Sequence, residues 1–146
     1  MDIEAIKSIL EHRYPMLLID GVDSIESMKS CHAFKILSPD EWFFAGHFPG
    51  NPVMPGSLQI EAFTQAVALP LLISGDRAKQ KKTPLLLFAI DRVRYYKQVH
   101  PGDKFEIQVQ IDNVAMGMAS ASVTGVVDSL KVSECKIAYK IRSDVL

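Results

Sequence analysis

The chain has 146 residues, 48% of them hydrophobic and 23% charged, with 16 Lys and Arg against 17 Asp and Glu for a net charge of −1. Those proportions fit a folded globular chain of one domain, residues 1–146, and exclude a disordered one. The near-neutral charge argues against general nucleic-acid binding. No apolar run reaches the roughly 18–20 residues of a membrane helix.

Asp2 to Glu11 carries Ile3, Ile6 and Leu10 at helical spacing, with Asp2 placed to cap. The pattern predicts a short helix, ended by Pro15. This start lacks the basic head and apolar body of a signal peptide, and a cytoplasmic location is expected. Met16 to Ile19 is short and apolar and predicts a buried strand before the Asp20-Gly21 turn signal. Cys31 to Leu37 predicts another strand. Pro39 to Met54, dense in Pro, Gly and aromatics, predicts an ordered loop.

Ser57 to Ile73 is long enough for a helix and apolar on nearly every side, the mark of a buried helix. Pro70 predicts a kink or the approach of its end. Gly75 and the stretch Asp76 to Lys82 predict a loop, in which Arg77, Lys79, Lys81 and Lys82 form a basic cluster.

The period then changes. Leu85 to Ile90 and Val93 to Val99 predict two strands. Phe105, Ile107, Val109 and Ile111 alternate with polar residues, as do Ala119 to Val123 and Cys135 to Ile141. Pro101-Gly102-Asp103, Met116-Gly117 and Asp128-Ser129 supply turns. The expected class is α+β: an antiparallel meander with one solvated face, and a buried helix against the other. The two cysteines, Cys31 and Cys135, are expected as buried free thiols.

Candidate chemistry centres on GHFPGNPVMPG, Gly46 to Gly56. Three glycines and three prolines make a rigid frame around His47. Glu61 follows on the helix among Leu58, Ile60, Ala62 and Phe63, where a carboxyl is costly to bury unless paired or protonated. Gln65, at i+4, is placed to hydrogen-bond it. An acid–base pair of His47 and Glu61 is one reading. A loop histidine held by backbone, and a glutamate reaching solvent, are the plain structural alternatives, and spacing alone leaves both open. The four histidines, His12, His32, His47 and His100, show no metal-ligand spacing. No phosphate-binding glycine loop occurs, so neither a metal nor another cofactor is expected.

GHFPGNPVMPGSLQIEAFTQA, Gly46 to Ala66, resembles the signature of the β-hydroxyacyl-acyl carrier protein dehydratases. LEHRYPMLLID, Leu10 to Asp20, and Asp91, Val99 and Pro101-Gly102-Asp103 extend the likeness along essentially the whole chain. The resemblance implies a hot-dog fold, a long helix wrapped by an antiparallel sheet. It implies dehydration of (3R)-3-hydroxyacyl-acyl carrier protein to the trans-2-enoyl product in fatty-acid synthesis. His47 would be the base and Glu61 the acid. It further implies a homodimer, or a trimer of dimers, in which each site takes His47 from one protomer and Glu61 from the other. The sister dehydratase-isomerases carry Asp on the helix, so Glu61 points to the plain dehydratase.

The N–H groups of Gly56 and Ser57, at the helix start, are expected to face the thioester oxygen. The glycine at 56 is expected to let the thioester approach closely. Phe48, Phe63, Leu85 to Phe88 and Tyr95 are candidates to line an acyl tunnel. The chain departs from the family pattern at Ser57 and Gln59, where aliphatic residues are usual. It departs again at Ala115-Met116-Gly117, where basic residues that help dock a carrier protein are frequent. The basic loop at Arg77 to Lys82 is an alternative docking element. Competing functions are a hot-dog thioesterase, a dehydratase acting on coenzyme A thioesters or in a specialised pathway, and a non-catalytic acyl-binding subunit.

Overall fold

The computed structural model describes residues 1–74 and 85–142. Asp2 caps the first helix, α1 (Ile3–Ile9), its carboxylate accepting from Ala5 N at 2.9 Å. Ile6 and Ile9 turn inward. The chain then crosses to the strands β1 (Gly21–Glu26) and β2 (Ser30–Ile36), which pair antiparallel.

The strand expected at Met16 to Ile19 does not form. Met16 N and Leu17 N donate to Arg13 O in a turn, and a side chain takes the next groups instead of a neighbouring strand. Gln65 Nε2 donates to Met16 O at 2.7 Å, and Leu18 N donates to Gln65 Oε1 at 2.9 Å. Leu18 and Ile19 are buried, so the apolar character of the segment is used without a ladder. The strand β1 lies just beyond and carries no clear signal: the register shifts between Val22 and Ser24, which breaks the alternation.

The central helix α2 spans Gly56–Leu72. Pro70 sits in its last turn and the helix ends two residues later, as an interior proline dictates. The expected basic loop of Arg77, Lys79, Lys81 and Lys82 lies outside the described residues. The strands β3 (Leu85–Tyr95), β4 (Lys104–Ala115), β5 (Met118–Val127) and β6 (Leu130–Ile141) follow. Leu85 to Ile90 and Val93 onward were expected as separate strands. They form one, because Arg92 takes a φ of 53° and the register shifts between Asp91 and Arg94, a bulge that interrupts the sequence pattern without ending the pairing. At the β4–β5 and β5–β6 turns, Met116-Gly117 and Asp128-Ser129 all have positive φ, the twist that two-residue hairpin loops require.

The sheet runs β1-β2-β4-β5-β6-β3, every pair antiparallel. Phe105, Ile107, Val109, Ala121, Val123, Cys135 and Ile137 form its inner face, and α2 packs across them. Phe63 on the helix stacks on Phe105 with centroids 5.7 Å apart. Cys31 and Cys135 are free and buried, and burial pushes both thiols up to about 12, which makes them inert. No helix among the described residues is long and apolar enough to cross a membrane.

Candidate active site

The loop from His47 to Met54 is held by its own backbone. Phe48 and Asn51 exchange two N–H···O bonds, of 3.0 and 2.9 Å, and Val53 N donates to His47 O at 2.8 Å. Met54 N then ties the loop to Val99 O at 2.8 Å. The His47–Phe48 peptide bond is cis, and the two rings stack with centroids 4.0 Å apart. His47 is half-buried, with Nδ1 2.8 Å from Val53 O. A carbonyl only accepts, so this contact fixes the tautomer: Nδ1 carries the proton and Nε2 keeps its lone pair.

His47 lines one cleft with Phe48, Gly56, Gln59, Tyr95 and Lys97. The first N–H groups of α2 have no partner within the helix, and its positive dipole end lies here. Glycine at 56 makes room for a ring: a β-carbon there would lie 2.6 Å from Tyr95 Cζ. Ser57 is exposed and lines an adjoining hollow with His47, Trp42 and Leu58. Gln59 is buried and its Oε1 has no partner among the described residues.

Glu61 lies elsewhere. At about 100° per residue it sits roughly 140° around the helix from Gly56. It lines a second cleft, of about 440 Å³, with Leu10, His12, Ala68, Leu85 and Tyr139. Its side chain is 30% exposed rather than fully enclosed. Gln65, fully buried, donates to Glu61 Oε1 at 2.9 Å while also holding Met16 and Leu18. Tyr139 Oη donates to Thr64 O at 2.8 Å; burial, with the nearby Glu61 carboxyl acting in the same direction, pushes this phenol up to about 12.

The candidates therefore divide. His47, Phe48, Gly56, Ser57 and Tyr95 cluster at the start of α2, and Glu61 with Gln65 opens on the other side. Phe63 lines neither cleft: it is fully buried against Phe105, because its position on α2 faces the sheet. Sequence reasoning missed His12, whose Nε2 lies 3.5 Å from Glu61 Oε1. It stands in the Leu10 to Asp20 segment already singled out, but was weighed only as a metal ligand. Among the described residues no group of three or more His, Cys, Asp or Glu is arranged to hold a metal ion.

The family model of the FabA-like domain matches residues 10–136. A 3-hydroxyacyl-[acyl-carrier-protein] dehydratase FabZ of Bordetella petrii is 41% identical, over 98% of this chain and 97% of the relative. The chain belongs to the FabZ-like dehydratase family. A FabZ-family relative from Nitrosomonas europaea, carrying the same name, is 40% identical over 98% of this chain and 94% of its own. Among solved structures, the dehydratase heterocomplex ApeI:P of Xenorhabdus doucetiae matches with a TM-score of 0.78 at 18% identity, covering 94% of this chain and 91% of that one. A sigma28-regulated virulence protein of Campylobacter jejuni matches at 0.74 and 13% identity, over 99% and 93%. At such identities the likeness is one of fold, and it is the hot dog expected for FabZ-like proteins. The resemblance read from Gly46 to Ala66 and the α+β class are both borne out.

Proposed function

We propose that this single-domain chain dehydrates (3R)-3-hydroxyacyl-acyl carrier protein to the trans-2-enoyl thioester in fatty-acid synthesis, with His47 as base and Glu61 as acid. The observation that carries the reading is the fixed His47 ring: Nδ1–H is spent on Val53 O, so Nε2 is the free base. It takes the α-proton of the substrate. Gly56 N–H, with Ser57 N–H beside it, receives the charge that develops on the thioester oxygen, a contribution of about 2.7–4 kcal/mol per donor in comparable sites. Glu61 gives its proton to the departing hydroxyl, which leaves as water. His47 has then gained one proton and Glu61 has lost one, and exchange with solvent resets both.

The separation of the two clefts supports a site shared between protomers, His47 from one and Glu61 from its partner. So does β3. It is an edge strand with Leu86, Leu87, Phe88, Ile90 and Tyr95 exposed, an open edge that a second copy of the chain would cover. A homodimer through β3 meets both requirements, and a trimer of such dimers is compatible with it. The enclosed free thiols fit a cytoplasmic enzyme.

The test is mass spectrometry of the purified protein with 3-hydroxyacyl carrier-protein and coenzyme A substrates. Loss of water from the carrier-protein substrate is expected. Release of free acid would make it a thioesterase, preference for coenzyme A would move it to another pathway, and binding without turnover would make it an acyl-binding subunit. His47→Ala and Glu61→Gln should each cost at least about 10²-fold. Mixed and exchanged, the two dead variants should recover part of the activity. Mixtures that stay dead after verified exchange refute the shared site.

A further inference from the structure

Two N–H donors approach the same oxygen of Glu61. Gln65 Nε2 donates to Oε1 at 2.9 Å, and His12 Nε2 stands 3.5 Å from that same atom. A shift of about half an ångström brings the second contact to ordinary hydrogen-bond length. The His12 tautomer follows from its surroundings. Nδ1 is enclosed and has no partner among the described residues, so a proton there would be a buried unsatisfied donor. On Nε2 the proton meets the Glu61 carboxyl.

The segment carrying His12 is braced from both sides. Arg13 Nη1 donates to Leu10 O at 2.8 Å and to His12 O at 2.7 Å, and Nη2 donates to Lys7 O at 3.1 Å. Beyond it, Gln65 holds Met16 and Leu18. One glutamine thus fixes both the carboxyl and the strand of chain that delivers the imidazole. Tyr139, in the same cleft, spends its O–H on Thr64 O and does not compete for Glu61.

We propose that His12 is a positioning residue for Glu61: with Gln65 it anchors Oε1, so that Oε2 carries the transferable proton and faces the substrate. The inference rests on the reading of Glu61 as the acid. When the proton leaves Oε2 for the departing hydroxyl, the carboxylate left behind keeps two N–H donors on Oε1. These strengthen as the charge forms, so they act on the chemical step more than on binding.

The experiment compares His12→Phe, which fills the space without a donor, His12→Gln, which keeps an N–H at similar reach, and Glu61→Gln, in steady-state dehydration with matched melting curves. His12→Phe should lower kcat by about 10–100-fold, the range for partners that orient a reactive group, with KM within about threefold. His12→Gln should return to within about fivefold of the parent. The double variant His12→Phe/Glu61→Gln should be no slower than Glu61→Gln alone, since the partner being positioned is gone. Should His12→Phe fail to fold, His12→Asn, whose amide is one carbon shorter, replaces it. Unchanged kcat in His12→Phe beside an inactive Glu61→Gln overturns the role of His12 alone. Folded His12→Gln as slow as His12→Phe also overturns it, because a donor then does not suffice. A fully active Glu61→Gln overturns the underlying reading instead.

Discussion

Gly56→Ala tests whether the start of α2 and the Tyr95 ring form one wall. The added β-carbon would lie 2.6 Å from Tyr95 Cζ and 2.8 Å from its Cε1 and Oη. Carbon atoms in contact sit about 3.5–4.0 Å apart, so the ring must retreat by roughly 1 Å. Tyr95 is 50% exposed on the single chain, and the ring can swing outward without opening that chain's core. Unfolding free energy should therefore change by less than about 1 kcal/mol, part of the strain being offset by the better helix propensity of alanine. Turnover should not escape so lightly. Tyr95 and Gly56 line the cleft of His47, and a 1 Å misplacement at a reacting centre costs on the order of 10²-fold. Urea unfolding and turnover on one preparation separate the two effects. Gly56→Ala/Tyr95→Ala, which removes the obstructing ring, should regain about tenfold over Gly56→Ala. Full turnover in the single variant refutes the reasoning, and a fall in melting temperature above about 10 °C shows that the helix end yielded rather than the ring.

Three further outcomes are expected. Gly125→Ala should destabilise by about 1–3 kcal/mol in urea titration, because its β-carbon would meet the buried Phe105 Cε2 and Ser133 Oγ, each at 2.6 Å. Gln59→Leu should raise unfolding free energy by roughly 1–2 kcal/mol, as it removes the enclosed, unpartnered Oε1; a loss instead would mean that this oxygen is satisfied in the assembled protein. Burial lifts the Cys31 and Cys135 thiols from 9.0 to about 12, so the folded chain keeps protons that the unfolded one releases: stability is complete below about pH 9 and falls as the pH rises toward 12, by roughly 1.4 kcal/mol per pH unit for each thiol. Cys31→Ala should shallow that alkaline slope in urea midpoints taken between pH 8 and 11, and an unaltered slope would show that the thiol is not enclosed.

Where residues alternate or recur at a fixed period, the fold could be read before it was seen. The strands β4, β5 and β6 announce themselves because one face of each is apolar, and the helix α2 because nearly every side of it is. The strand β1 and the joined β3 do not, since a register shift in each moves the apolar residues out of step. Met16 to Ile19 misleads for another reason: its end, Leu18 and Ile19, is buried, but a glutamine 47 residues away from Leu18 bonds that backbone in place of a strand. The site follows the same rule. His47, Glu61 and Gln65 lie within one local stretch, and the Gln65 contact to Glu61 follows directly from helical spacing. His12 reaches Glu61 only through the tertiary path of the N-terminal segment, which no local pattern encodes. Tyr95 against Gly56 is likewise a contact between distant segments, and the glycine alone could not name its cause.

The order of synthesis sets a further demand on this chain. The helix α2 leaves the ribosome before any of β3 to β6 exists, although all four pack against it in the folded chain. The strand β2 can pair with β1 at once, but its other neighbour, β4, comes later: Ser30 pairs with Gln110. At about 5–20 residues per second, a nearly all-apolar helix stands uncovered for seconds. The later strands β4, β5 and β6 form local hairpins and can assemble as soon as they emerge. The natural sequence of events is thus a three-strand meander that captures a waiting helix, with the β1–β2 hairpin added to one flank and β3 to the other. Slow translation between Leu72 and Lys104 would lengthen the exposure, which makes that stretch the one where holdase chaperones have most to protect.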